Sequence, residues 1–254
     1  MEHLRWIGFG AFFASSLVIG VRLLLLARQT GKLPEFLIGI GVLGIGPFGY
    51  GLSMLAFALA SHSLALSATL MGSALLAASI GAISQYLFAW TVFRRDASWA
   101  RAVVWIAIAL LLAGYVGDLV ENGLVNRRNA GAWFWLGATM RTAGLGWSAL
   151  ESLRYHDIMR RRTLLGLADP VVTESFRLWG LGAGAAFAGS LCGIATRALT
   201  GHGAAHFPLL NLGLSLLGLF AAIAMWLAFL PPPAYLRFVE ARGRRAGAVP
   251  SAPA

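Results

Sequence analysis

This sequence predicts an all-α fold, a polytopic membrane protein built as a seven-transmembrane-helix bundle, and three observations lead there. Hydrophobic residues fill 58% of the 254 positions, and the mean hydropathy is +0.74. Apolar runs of about 20 residues recur along the whole length, each long enough to cross a ~30 Å hydrocarbon core as a helix. Lys and Arg, 20 in all, gather in alternate loops, which is the bias that orients helical membrane proteins. The predicted spans are residues 6–27, 34–60, 64–93, 100–124, 131–153, 176–199 and 207–230. They form one transmembrane domain over residues 1–233, followed by a basic interfacial segment and disordered tail at 234–254.

The first span is too long for a signal-peptide core of ~7–15 residues, and it meets Arg22 and Arg28 instead of a small-residue cleavage site. Pro34 opens the second span, where its missing N–H costs nothing. That span carries Gly39, Gly41, Gly44, Gly46, Gly49 and Gly51 around Pro47. Small residues let helices approach closely in lipid, and proline kinks them, so tight packing and a hinge are the two readings. The third span holds Ser67, Ser73, Ser79, Ser84, Gln85 and Tyr86, suited to interhelical hydrogen bonds. Glu174 suits the N-terminal end of the sixth span through the helix dipole. The seventh stops at Pro231, Pro232 and Pro233, which cannot continue an α-helix. Beyond them, Leu236, Phe238 and Val239 stand among Arg237, Arg242, Arg244 and Arg245, a pattern for a short helix on anionic lipid.

Seven spans put the termini on opposite sides. Fifteen of the twenty Lys and Arg fall on one side, in the groups Arg22 to Lys32, Arg94 to Arg101, Arg154 to Arg177 and Arg237 to Arg245. Arg5, Arg127, Arg128 and Arg197 fall on the other, with Arg141 inside the membrane. The positive-inside rule then places the N-terminus outside and the C-terminus in the cytoplasm, in a bacterial-type inner (plasma) membrane.

Ionisable side chains in hydrocarbon cost roughly 2.5–3.5 kcal/mol even on the lenient insertion scale, so each one within a span calls for a partner or a purpose. Tyr115, Asp118, Glu121 and Asn122 occupy the outer half of the fourth span, and Arg141 sits mid-way along the fifth. Arg197 ends the sixth span, and Asn211 and Ser215 open the seventh one turn apart. These eight residues predict an outward-facing polar cavity among spans four to seven, floored by Arg141; the alternative is that Arg141 pairs with Asp118 or Glu121 to lock two helices. Glu151 lies near enough to the cytoplasmic end to be read as solvated.

The remaining chemistry is read by elimination. The sole cysteine, Cys192, permits no intrachain disulfide. The formal charge of +10 belongs to topology, and with no aromatic-interleaved basic platform nucleic acid is not an expected partner. His3, His62, His156, His202 and His206 all lie near span ends, which argues against bilayer-buried haem. His202 and His206 have the spacing of a metal pair but lack a third ligand, so neither metal nor cofactor is expected. The only lysine, Lys32, is in a loop, so a retinal Schiff base has no attachment point. With no P-loop, nucleophile elbow or zinc-protease motif, an enzyme is disfavoured, an intramembrane hydrolase using Asp118 and Glu121 being the form considered.

The expected function is a non-enzymatic protein that binds a small or lipid-like ligand in the cavity and signals to a cytoplasmic protein partner at the Arg-rich loops. The alternatives are a secondary transporter using Asp118 or Glu121 with Arg141, and a structural or assembly subunit.

Overall fold

The computed structural model describes residues 2–122, 131–203 and 206–247, with side chains described at 10–121, 131–203 and 206–242. Arg127 and Arg128, the side chains of Arg5, Arg244 and Arg245, and the tail from 248 onward lie outside these residues.

Among the described residues eight helical rods follow one another: α1 (Glu2–Thr30), α2 (Leu33–Leu59), α3 (Leu64–Phe93), α4 (Ser98–Asn122), α5 (Ala132–Leu164), α6 (Pro170–Thr200), α7 (Pro208–Phe229) and α8 (Pro233–Gly247). Among the described residues there is no strand. The boundaries have local causes. Prolines 34, 170, 208 and 233 occupy first turns, where the proline geometry is already helical. Ser63 and Asp169 accept hydrogen bonds from the N–H groups of Leu66 and Val171 at 3.3 and 2.7 Å, satisfying donors that the first turn would otherwise orphan. Gly166 takes a left-handed φ of 70° after α5, and its N–H and that of Leu167 bond back to Thr163 and Arg162 at 3.0 and 2.9 Å. This pairing closes a helix where a side chain would be strained.

Three expected boundaries move. α5 runs on through Arg154–Arg162, which the sequence marked as linker, and α6 starts at Pro170 instead of 176. Residues 233–247, where a short interfacial helix was expected, form α8, which packs on α6 and α5; Tyr235 and Leu236 are half-buried and Val239 buried. Phe238 stands well exposed, at 61%.

Among the described residues six rods, α1 to α4, α6 and α7, are long and apolar enough to cross a membrane. α5 is longer, at 33 residues, yet Arg141, Glu151, Arg154, Asp157 and Arg160–Arg162 make it far more polar than the rest. The bundle is also dressed for lipid. Trp105, Val120 and Leu209 are 63%, 81% and 80% exposed while Gln85, Ser148 and Ser152 are at 1% or less, the reverse of a water-soluble surface.

α1, α2, α3, α5, α6 and α7 pack as a closed ring, each on the next and α7 back on α1. α4 lies outside that ring, in the groove between α3 and α5. Close approach rests on small residues. A Cβ at Gly44 would lie 2.6 Å from the Ala77 carbonyl and 2.9 Å from the Gly81 Cα, so α2 and α3 cross backbone to backbone. A Cβ on Gly39 would meet the Gly20 carbonyl at 3.2 Å, which sets the approach of α1. The tight-packing reading of the α2 glycines therefore has direct contacts. Between them Pro47 lies within a π-helical stretch, Gly44–Gly51; its ring and missing N–H disrupt the ordinary i to i−4 ladder, and the wider turn absorbs the mismatch.

Toward the loops at 31–32, 94–97 and 230–232 the ring interior is filled. Ile19, Leu23, Leu37, Ile38, Val42, Phe88, Trp179 and Met225 form one buried cluster. Phe88 and Phe229 meet the Trp179 ring edge-on at 6.2 and 5.4 Å, and Phe93, Tyr155 and Phe176 continue the aromatic layer. Toward the opposite end, at 61–63 and 201–203, the described residues leave the interior open.

Candidate functional site

That opening is a cleft of about 410 Å³ between α2, α3, α5 and α6. Its walls come from the same half of each rod, near the predicted outer end: Ile45 to Ser53, Met71 to Ala78, Phe134 to Leu145, and Ser190 to Arg197. Two of the eight residues singled out from the sequence, Arg141 and Arg197, line it. No aspartate or glutamate does so among the described residues.

Arg141 is positioned by its own helix. Side chains on an α-helix lean toward its N-terminus, so Arg141 runs back over the preceding turn, where Gly137 leaves room. A Cβ at Gly137 would come within 3.1 Å of the guanidinium. The guanidinium also donates to Ser79 Oγ across the α3 interface at 3.4 Å. Arg197, entering from α6, has its guanidinium carbon 4.8 Å from the centre of the Phe134 ring, within cation–π range. Tyr50, Ser53, Thr142 and Ser190 add hydroxyls to the wall. Tyr50 belongs to the π-helical stretch, with Ser53 just beyond it, so the distortion at Pro47 shapes one wall. Ser53 Oγ already donates to the Tyr50 carbonyl at 2.7 Å.

The other sequence-predicted residues lie elsewhere. Because α4 is outside the ring, Asp118 is buried, at 6% exposure, away from the cleft lining. Tyr115 is half-buried and Glu121 exposed on the same rod, with the Glu121 carboxylate against Gly131. The Asn122 side chain is outside the described residues. Asn211 and Ser215 are half-buried on α7, and Ser215 Oγ donates to the Asn211 carbonyl of its own helix at 2.9 Å. The cleft thus lies among α2, α3, α5 and α6 where spans four to seven were expected. Chain order gave no information on which rods close the ring. The α2 contribution had one sequence signal, the glycine and proline density around Pro47.

Glu151 departs furthest from expectation. Read as solvated, it is 3% exposed, and Arg94 Nε donates to its two oxygens at 3.1 and 3.0 Å. Arg154 stands at 3.6 Å from the same carboxylate. This clasp ties the end of α3 to α5 beside the aromatic layer. Nearby, Trp179 Nε1 donates to the fully buried Ser148 at 3.3 Å. Glu174 accepts from Arg177 and, at 3.2 Å, from the Tyr235 hydroxyl, joining α6 to α8. His202 and His206 stack with ring centres 4.9 Å apart; among the described residues no group of three metal-ligating side chains occurs.

The arrangement offers two guanidiniums and several hydroxyls in a partly apolar recess, which suits recognition of an anion. No protein family model, curated protein or solved structure matches the chain.

Proposed function

We propose that the chain is a seven-span membrane protein, with α5 as the seventh crossing helix, whose outward-facing cleft binds an anionic ligand without chemical conversion. One observation carries the reading: Arg141 and Arg197 line a common cleft from two helices, beside the hydroxyls of Tyr50, Ser53, Thr142 and Ser190. α5 supports the seven-span count because it is enclosed by α3, α4 and α6, so its charges need not face lipid. The basic loops orient the cleft outward.

Signalling to a cytoplasmic partner has a route in this geometry. α5 is one uninterrupted helix from Ala132 to Leu164, about 50 Å at 1.5 Å per residue. It carries Arg141 in the cleft and the exposed Arg160, Arg161 and Arg162 at the far end. A shift of Arg141 on ligand binding would move the basic end, where an acidic protein surface would dock.

A test needs no knowledge of the ligand. In a Cys192→Ser background, Ser190→Cys places a thiol in the cleft wall. A sulfonate-bearing methanethiosulfonate added from outside should modify it about tenfold faster than a trimethylammonium-bearing one, the gain expected of electrostatic focusing in a low-dielectric cleft. Arg141→Gln with Arg197→Gln should abolish the preference. Equal rates in the parent protein, or a preference that survives both substitutions, defeats the reading.

The carrier reading is favoured by a separate observation. Beyond the cleft the ring interior is filled by the buried cluster around Phe88 and Trp179, and Arg94 clasps Glu151, which supports a pathway open on one side and closed on the other. Asp118 and Glu121 lie off that pathway, so an anion is the cargo this version favours. Solute flux in proteoliposomes that Arg141→Gln abolishes would support it over a pure sensor.

A further inference from the structure

We infer that the closed stretch below the cleft is the inward half of a translocation route, with Gln85 and Ser152 as polar lining and Trp179 as its plug; this rests on the carrier reading above. The faces that line the cleft run on toward the loops at 31–32 and 94–97. On α3, Gln85 lies seven residues inward of Ala78, and on α5, Ser148 and Ser152 lie seven residues inward of Arg141 and Leu145. Seven residues make two turns and return a side chain to the same face. On α6, Trp179 lies eleven residues inward of Ser190, three turns along that face. Gly41 lies one turn inward of Ile45 on α2.

Below the cleft these faces are joined by contacts. Trp179 Nε1 donates to Ser148 Oγ at 3.3 Å, and Phe88, one turn beyond Gln85, meets the Trp179 ring at 6.2 Å. Gly41 makes room for the Gln85 amide, since a Cβ there would overlap its Nε2. A plug that only filled space would be apolar throughout. Instead Gln85, Ser148 and Ser152 stand in it at 1% exposure or less, and Gln85 Oε1 and Ser152 Oγ have no hydrogen-bond partner among the described residues. Other hydroxyls on these rods satisfy themselves: Ser84 and Thr91 donate to the Ile80 and Leu87 carbonyls one turn back, at 3.1 and 2.8 Å. A buried amide oxygen without a partner is a cost that packing does not require, and a polar species passing along the face would offset it. A joint lies beside it, because the π-helical stretch Gly44–Gly51 begins just past Gly41, and such wide turns recur at functional sites.

The experiment follows a thiol at the closed level. In the Cys192→Ser background the full chain carries Gln85→Cys or, as control, Ser84→Cys. The two positions share one depth and both are buried, at 1% and 4% exposure, but they point about 100° apart around the helix. The sulfonate-bearing methanethiosulfonate is added to the cytoplasmic face, exposed in inverted membrane vesicles. Gln85→Cys should react about tenfold faster than Ser84→Cys or more, because a thiol on the route is reached by opening and one off it only by local unfolding. Ser148→Cys should match Gln85→Cys, and it carries the comparison where Gln85→Cys does not fold. A second readout is Gln85→Leu, which puts apolar volume in place of the amide. It should raise the temperature of thermal unfolding in detergent by about 2–4 °C and slow the labelling of Ser148→Cys.

Each other outcome overturns something definite. Equal rates at Gln85→Cys and Ser84→Cys, or no reaction at either, defeat the route. A lower unfolding temperature for Gln85→Leu makes the amide a structural contact and defeats it as well. In each of these cases the anion reading stands as long as Ser190→Cys keeps its charge preference from outside. Fast labelling at Gln85→Cys without that preference removes the anion and leaves the route.

Discussion

Replacing Arg94 by alanine should destabilise the bundle more than replacing Glu151 by leucine, and more than making both changes together. The asymmetry comes from exposure. The Glu151 side chain is 4% exposed, whereas those of Arg94 and Arg154 are 37% and 57% exposed. Arg94→Ala leaves a buried carboxylate with only the Arg154 contact at 3.6 Å. Stranding one member of a fully buried pair costs about 3–5 kcal/mol. Because Arg94 is more than a third open to solvent, screening reduces this to about 2–3 kcal/mol. Glu151→Leu leaves two arginines that reach water and fills the site with apolar volume, at a cost of about 0–1 kcal/mol. The double change should fall in the same small range, so Glu151→Leu acts as a suppressor of Arg94→Ala. Unfolding by sodium dodecyl sulfate in mixed micelles, followed by far-ultraviolet circular dichroism, measures all four proteins as a double-mutant cycle. A double variant as unstable as the sum of the singles, or an Arg94→Ala cost no larger than that of Glu151→Leu, refutes the reasoning.

The other predictions concern packing and one titrating group. Gly44→Leu should cost about 1–3 kcal/mol through overpacking, because its Cβ would press on the Ala77 carbonyl at 2.6 Å; thermal unfolding in detergent reads it. Gly193→Ala, with no atom within 4 Å of the new methyl, should instead raise stability by about 0.5–1 kcal/mol in the same assay. Tyr86→Phe should cost about 1 kcal/mol, since the buried hydroxyl donates to the Met140 carbonyl at 2.9 Å. The Tyr235 phenol titrates above its ordinary value of 10.0, chiefly through burial and then through the Glu174 carboxylate, with Arg177 opposing. A raised value favours the folded state while the phenol is protonated. This contribution is whole below about pH 10, the unfolded value, and is lost as pH climbs through the folded one. Proteolysis of α8 should therefore accelerate in alkali in the parent protein, and Tyr235→Phe should flatten that pH dependence.

Much of the architecture was legible because its causes are local. Apolar run length marked the rods, and Pro34 and Pro231–Pro233 marked where one begins and another ends; Asp169 and Pro170 carry the same signal for α6, but that span was read as starting at 176. The helical course of Arg154–Arg162 was missed because charge was read as linker, although arginine is a good helix former. Arg141 and Arg197 stood out because charge in an apolar run is costly wherever it packs. The absence of Asp118 from the cleft lining was not legible, since α4 lies outside the ring and no local propensity encodes ring order. Glu151 was misjudged for a related reason. Its distance from the span end suggested water, but Arg94, 57 positions earlier, is held over it by the fold.

The enclosure of so polar a rod as α5 has a consequence for biogenesis under the seven-span reading. With Arg141 and Glu151 each costing roughly 2.5–3.5 kcal/mol in lipid, α5 would partition poorly into the bilayer as a lone segment leaving the translocon. Two of its polar contacts, Ser79 for Arg141 and Arg94 for Glu151, lie on α3, which is synthesised first. The earlier helix is then a template waiting in the membrane, and α5 enters by docking on it, not by hydrophobicity. A nascent chain truncated after Leu164 should integrate α5, whereas the same chain carrying Ser79→Leu and Arg94→Leu should leave it accessible to protease.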